Sequence, residues 1–203
     1  MHQRLFALEL TLDSADSAPI LPGANVGADL LGRHGLDAFT HARLWRNPCG
    51  FAARFNYLAL RYNTPLYGWV AQRFGLSRAE FVVIYSLALM DGVTASEIAG
   101  STAFPKNTLS RAVNRIARLG LIARIEGATD RRQQKLSLTA SGRAVFDEAL
   151  PHFVALETEM LAPLSLVERE TLSALMAKVV LAMFNSPADG PGPDAPGRPG
   201  ANI

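Results

Sequence analysis

Residues 105–125 read PKNTLSRAVNRIARLGLIARI, and this stretch decides the fold. Its apolar side chains recur three and four residues apart, which places them on one side of an α-helix. These apolar residues are Leu109, Ala112, Val113 and Ile116. Pro105 is typical of the first turn of a helix, and Gly120 is typical of the position just after a helix end. The pattern therefore predicts a helix over residues 105–119 and a strand over residues 121–125.

The opposite side of this helix carries only polar and cationic side chains. They are Asn107, Ser110, Arg111, Asn114 and Arg118, with Arg115 at the edge. Arginine, asparagine and serine are side chains that contact phosphates and base edges in a DNA groove. Residues 104–135 hold eight basic and two acidic residues, a net charge of +6, whereas the whole chain carries +2. Positive charge concentrated in one stretch is typical of nucleic-acid binding.

Upstream of this stretch, the pattern predicts three more helices. A helical spacing of aromatic and aliphatic residues runs through residues 55–74, with Pro65 expected to kink it and Gly75 to end it. Ser77 with Glu80 is a capping box for a buried helix over residues 78–90. Thr94 with Glu97 is a second capping box for a short helix to about residue 100, and the following turn predicts a helix-turn-helix.

Downstream, a polar turn over residues 127–134 separates the first strand from a returning strand over residues 135–138. Thr139 is expected to cap a long helix, which Pro151 interrupts, and Ser165 with Glu168 is a capping box for a final helix. The predicted fold class is mainly α with a small β-hairpin (α+β).

Composition divides the chain into three parts. Residues 1–46 are interpreted as an N-terminal extension, either a flexible or loosely docked arm or an arm that wraps a partner subunit. Residues 47–185 are predicted to form the folded domain. Residues 186–203 are rich in proline and glycine and are expected to be disordered.

Other function classes find little support in the sequence. A single cysteine, Cys49, excludes a disulfide framework within the chain, and the longest apolar run, residues 81–90, is too short to span a bilayer. The four histidines are scattered, and no acid–base pair, glycine-rich phosphate loop or metal-ligand spacing is evident. We therefore expect a cytoplasmic protein that is not an enzyme and needs no cofactor or metal.

Four motifs in order resemble the MarR family of transcriptional regulators. They are the helix from Asn107, the Gly120-Leu-Ile-Ala-Arg124 turn into a strand, the Asp130-Arg-Arg132 loop, and the Leu138-Thr-Ala-Ser-Gly142 entry to a helix. Each motif alone is weak, but together they are specific, and the resemblance covers roughly residues 54–184. It implies a winged helix-turn-helix core with N- and C-terminal dimerisation helices, hence a homodimer that binds double-stranded DNA.

The resemblance also implies roles for particular residues. A recognition helix would enter the major groove, a wing arginine would enter the minor groove, and Asp130 would orient that arginine. The expected DNA-binding residues are Lys106, Asn107, Thr108, Ser110, Arg111, Asn114, Arg115, Arg131 and Arg132. An effector cleft for a small aromatic or phenolic ligand is also implied. Its candidate residues are Tyr57, Arg61, Tyr62, Trp69 and His152.

The sequence thus predicts a ligand-responsive repressor that binds a near-palindromic operator. Two alternatives remain open. One is a thiol-based redox sensor using Cys49, although that residue lies about one turn earlier than the family's sensing cysteines and has only Arg46 and Arg54 nearby. The other is a winged-helix protein-interaction module, which the arginine-rich helix face disfavours.

Overall fold

The computed structural model describes residues 35–125 and 134–185, which form seven helices and a two-stranded antiparallel sheet. Its elements, in chain order, are α1 (Ala38–Trp45), α2 (Gly50–Phe74), α3 (Arg78–Leu89), α4 (Ala95–Thr102), α5 (Lys106–Arg118), β1 (Ile122–Ile125), β2 (Lys135–Leu138), α6 (Ala140–Leu161) and α7 (Leu166–Asn185). The chain divides into two compact units between Ala149 and Leu150, within α6. The fold class predicted from the sequence, mainly α with a β-hairpin, is confirmed.

Local capping chemistry sets the boundaries of α2 and α3. Gly75 follows the last residue of α2 in the left-handed conformation, with φ +66°, which a residue without a Cβ adopts at little cost. Ser77 accepts a hydrogen bond from the Glu80 backbone, and Glu80 accepts one from the Ser77 backbone, so the predicted capping box is complete. The helix that follows is largely buried, as its apolar sequence predicts.

Helices α4 and α5 are joined by a tight turn. The capping box of Thr94 and Glu97 begins α4 as predicted, but α4 extends to Thr102, about two residues further than its sequence indicates. Ala103 then reverses the chain with a φ of +57°, a conformation that alanine seldom adopts. Pro105, which we expected inside the first turn of α5, lies one residue earlier, at the N-cap.

The hairpin of β1 and β2 is held against the loop that follows α3. Ile122 pairs with Leu138 and Ile125 with Lys135, so the returning strand has the predicted bounds. Leu136 exchanges backbone hydrogen bonds of 2.9 Å with Gly92 and Val93 of the loop. The inner side chains Ile122 and Leu136 are buried in the core.

Helix α6 begins at a close backbone contact. Thr139 accepts a hydrogen bond from the Gly142 backbone and donates its hydroxyl proton toward the carbonyl oxygens of Gly120 and Leu121. A Cβ on Gly142 would overlap the Leu121 carbonyl oxygen, so only glycine fits this position. This close contact therefore explains why glycine occupies the last position of the Leu-Thr-x-x-Gly motif.

In the second unit, the predicted capping box of Ser165 and Glu168 begins α7. This helix exposes many apolar side chains. They include Leu172, Leu175, Met176, Val179, Val180, Met183 and Phe184. Apolar area of this extent is unusual on the surface of a soluble monomer.

The final residues of the N-terminal extension form helix α1. Asp37 caps it by accepting hydrogen bonds from the Thr40 backbone and hydroxyl. Arg54 of α2 donates a 2.9 Å hydrogen bond to the Leu44 carbonyl oxygen, which joins α1 to α2. Residues 1–34 and the C-terminal tail over 186–203 lie outside the described residues, so the expectations for them stay predictions.

Candidate nucleic-acid interface

Helix α5 is sharply two-sided. Leu109, Ala112, Val113 and Ile116 are buried against the core, as the spacing predicts. The exposed residues of the other side are Lys106, Asn107, Ser110, Arg111, Asn114, Arg115 and Arg118. Thr108 is half-buried and lies beside this exposed side. No acidic residue occurs in α5, so its outer face is uniformly neutral or cationic.

Arg115 differs from the other arginines of α5 because its guanidinium group turns back onto the protein. It donates a 2.6 Å hydrogen bond to the Glu80 carboxylate and two 3.2 Å hydrogen bonds to the Gly75 carbonyl oxygen. The Glu80 side chain is only 8% exposed and also caps α3. Arg115 therefore ties α5 to the corner between α2 and α3.

Three polar residues meet at the last turn of α5, beside the hairpin. Arg124 of β1 donates a hydrogen bond to the side-chain oxygen of Asn114, and Arg118 donates one of 3.3 Å to the Asn114 backbone oxygen. Together with Ala117 they line an open depression of about 640 Å³. Our list of DNA-binding residues omitted Arg118 and Arg124. The sequence signal for both was the concentration of positive charge over residues 104–135, to which they contribute.

The hairpin is fixed at its base by Asp91. Its carboxylate accepts hydrogen bonds from the Leu138 backbone, at 2.9 Å, and from the Ser137 hydroxyl, at 2.8 Å. These bonds, the Leu138 one foremost, hold the pKa of Asp91 below the ordinary aspartate value. The tip of the hairpin, residues 126–133, lies outside the described residues. Asp130, Arg131 and Arg132 therefore stay predicted wing residues.

The candidate effector residues fall in both units. Tyr57, Arg61, Tyr62 and Trp69 all lie along α2, and His152 lies in the second unit. Tyr57 and Arg61 are exposed, whereas Tyr62 and Trp69 are half-buried, with the Trp69 ring packed edge-on against Phe74 at 5.5 Å. The effector cleft stays a prediction.

Cys49 is an exposed free thiol at the N-cap of α2. Its backbone N–H donates a 2.8 Å hydrogen bond to the Asn47 side chain. Within the described residues, no cluster of three or more His, Cys, Asp or Glu side chains is placed to share a metal ion. No helix of residues 35–125 or 134–185 combines the length and apolarity that crossing a membrane requires.

Two helices joined by a tight turn and followed by a hairpin define the winged helix-turn-helix class. Residues 74–133 match the model of the MarR family. The chain is 27% identical over 112 residues to the transcriptional regulator HosA of Escherichia coli, a match that covers 55% of this chain and 83% of HosA. It is 26% identical over 120 residues to PecS of Dickeya dadantii, over 58% of this chain and 72% of PecS.

Solved structures of MarR-family regulators have a similar fold. A MarR-family regulator from Silicibacter pomeroyi superposes with a TM-score of 0.61 at 29% identity, covering 66% of this chain and 90% of that one. The S. aureus MepR–DNA complex superposes with a TM-score of 0.58 at 21% identity, covering 66% and 96%, and supports the fold. In the sequence of residues 74–133 and in its winged helix-turn-helix fold, the chain is therefore similar to transcriptional regulators of the MarR family.

Proposed function

We propose that the chain is a homodimeric, ligand-responsive repressor that binds a near-palindromic operator. The observation that carries this proposal is the exposed, acid-free face of α5 next to an anchored hairpin. A helix of this kind fits the major groove, and its arginines and asparagines suit phosphates and base edges. The protein would act in the compartment that holds the DNA, which we expect to be the cytoplasm.

The DNA-contacting residues of this proposal lie on α5 and on the hairpin tip. Along α5 they are Lys106, Asn107, Thr108, Ser110, Arg111 and Asn114. Arg131 and Arg132 would follow the backbone and enter the minor groove, with Asp130 orienting Arg132. We remove Arg115 from the contact set and assign it to positioning, because Glu80 and Gly75 already engage its guanidinium group.

The homodimer is supported by the apolar residues that a single chain leaves uncovered. Phe51, Phe55 and Leu58 of α2 are about half exposed, and α7 exposes apolar side chains along its length. Burying such area in a symmetric partner is strongly favourable, at roughly 25 cal/mol per Å². A two-fold dimer would place its two α5 helices in major grooves about 10 bp apart, which makes the operator near-palindromic. The proposed folded domain is residues 47–185.

The ligand response rests on α2, where Tyr57, Arg61, Tyr62 and Trp69 combine aromatic surface with a cation. Such a set suits an aromatic carboxylate, which the arginine would pair and the rings would stack against. The dimer would have two states, one in which the spacing of its α5 helices fits the operator and one in which it does not. A ligand that binds the second state more tightly lowers operator affinity by the difference between its two binding free energies. We expect a benzoate- or salicylate-type acid to weaken operator binding, and R61M to abolish that response while leaving ligand-free binding intact.

The experiment that tests the function is selection of bound sequences from random duplex DNA by the full chain. We expect enrichment of an inverted repeat, followed by binding that weakens steeply as salt rises because several phosphates are neutralised. A matched control is R43Q, which removes an exposed arginine of α1 outside the proposed interface. An unenriched library or a binding constant that does not change with salt would reject the proposed function.

A further inference from the structure

Asn114 projects from the outer face of α5, one turn beyond Arg111, and its side-chain amide is held from the hairpin side. The guanidinium group of Arg124 donates a hydrogen bond to the amide oxygen of Asn114. Arg118 reaches the same residue but donates instead to its backbone oxygen, at 3.3 Å. All three side chains are exposed around the open depression at the end of α5.

The chemistry of these groups fixes which way the amide faces. A guanidinium group has only donors, so the amide atom that meets Arg124 must be the oxygen. The amide nitrogen, with its two N–H donors, is then turned away from Arg124. We propose that Arg124 is a specificity-determining positioning residue that holds Asn114 as a hydrogen-bond donor toward the DNA base edge.

This inference rests on the proposed function and adds a base preference to it. An unrestrained asparagine reads adenine through two bonds, accepting from N6 and donating to N7. That arrangement needs the amide oxygen, and in this protein the charge-assisted bond from Arg124 takes one of its two lone pairs and fixes its direction, which weakens the paired contact with adenine. An asparagine that acts mainly as a donor favours guanine, which offers the adjacent acceptors O6 and N7, or thymine O4, over adenine, whose N7 acceptor lies beside the N6 donor. The position facing Asn114 should therefore favour guanine or thymine over adenine or cytosine.

Two arginine variants separate this role from simple loss of charge. R124M removes the donor to the amide, whereas R118M removes a neighbouring exposed arginine that contacts only the backbone oxygen. Each variant loses one positive charge near the same depression, so both should show a similar, modest loss of overall affinity and of salt dependence. Only R124M frees the amide oxygen of Asn114.

The test is selection from random duplex DNA with the parent chain, R124M, R118M, R124K and N114A. We expect R124M to shift one position of each half-site toward adenine by at least about fivefold, a change that corresponds to the lower end of a bidentate base contact. R118M and R124K should keep the parental preference, since the first leaves Arg124 in place and the second keeps a cationic donor. N114A should lose the preference at that position, and adding R124M to N114A should change it no further.

The outcomes distinguish this inference from the function on which it rests. A parent that enriches an inverted repeat, with R124M keeping the parental base at every position, overturns the role of Arg124 and leaves the proposed function standing. An equal shift in R118M and R124M also overturns it, because charge alone would then explain the change. A parent that enriches no sequence overturns both.

Discussion

Loss of Arg115 should destabilise the protein mainly because the buried carboxylate of Glu80 then has no cationic partner. Among the described residues, Glu80 is the only charged residue that is buried, and its partners are the Ser77 backbone N–H and the Arg115 guanidinium group. R115M removes the opposite charge and strands the carboxylate. Removing one partner of a buried pair costs about 3–5 kcal/mol. The Arg115 side chain is 45% exposed, so solvent screening reduces our expectation to about 2 kcal/mol.

The partner variant E80Q separates the charge from the cap. Glutamine also serves in a capping box, so E80Q keeps the acceptor for Ser77 but removes the buried charge. In the E80Q background, R115M should cost only about 1 kcal/mol, the value of its solvent-exposed hydrogen bonds to the Gly75 carbonyl oxygen. The expected coupling energy between the two residues is therefore about 1 kcal/mol.

The assay is urea unfolding of the four proteins of this cycle, at one fixed protein concentration because a dimer's stability depends on concentration. Equal costs of R115M in both backgrounds would refute the reasoning. A second readout tests the positioning role. The salt dependence of DNA binding by R115M should match the parent, since Arg115 neutralises no phosphate in this account. If the slope of log K against log salt were smaller in magnitude by about two per dimer, Arg115 would be a phosphate contact.

Two further predictions concern the hairpin and its neighbours. G142A should cost about 1–3 kcal/mol in urea unfolding, because its methyl group would overlap the Leu121 carbonyl oxygen. The matched variant G100A, at an exposed helix position with open space, should instead stabilise the protein by about 0.5–1 kcal/mol. An unchanged stability of G142A would contradict the steric overlap. The folded-state pKa of Asp91 lies below the ordinary value of 3.8, so its carboxylate contributes stability above that pH, and this contribution is lost as the pH falls through the lower folded pKa. The urea midpoint of the parent should therefore fall more steeply below about pH 4 than that of D91N, and parallel curves would contradict the role of Asp91.

Local chemistry explains why so many element boundaries were predictable from sequence. The capping boxes that begin α3, α4 and α7 depend on residues three positions apart, and each was predicted correctly. The end of α2 was predictable from Gly75, which takes the left-handed conformation at the C-cap. The end of α4 was misplaced because Ala103 takes the left-handed conformation with no glycine to announce it. Ala103 lies in the tight turn between α4 and α5, which pack against each other, and sequence spacing does not reveal that contact.

The interface was predictable in outline and not in its internal contacts. The two faces of α5 follow from helical spacing, so the exposed Arg111 and Asn114 were placed correctly. The pairing of Arg115 with Glu80 joins residues 35 positions apart. Helical spacing within α5 does not show that the side chain of this one arginine turns back onto the protein. The contact of Arg124 with Asn114 depends in the same way on how the hairpin returns beside α5.

The most direct test of the central claim is the dissociation constant of the R111Q/R132Q protein on the selected operator, measured across a salt series. Both arginines belong to the proposed DNA-contacting surface, and R43Q/R46Q, which removes two exposed arginines outside it, is the matched charge control. We expect affinity to collapse and the slope of log K against log salt to fall in magnitude by about two to four per dimer, while urea unfolding stays near the parental curve. Operator binding as tight as the parent's, with the fold intact, would show that this surface does not hold the DNA.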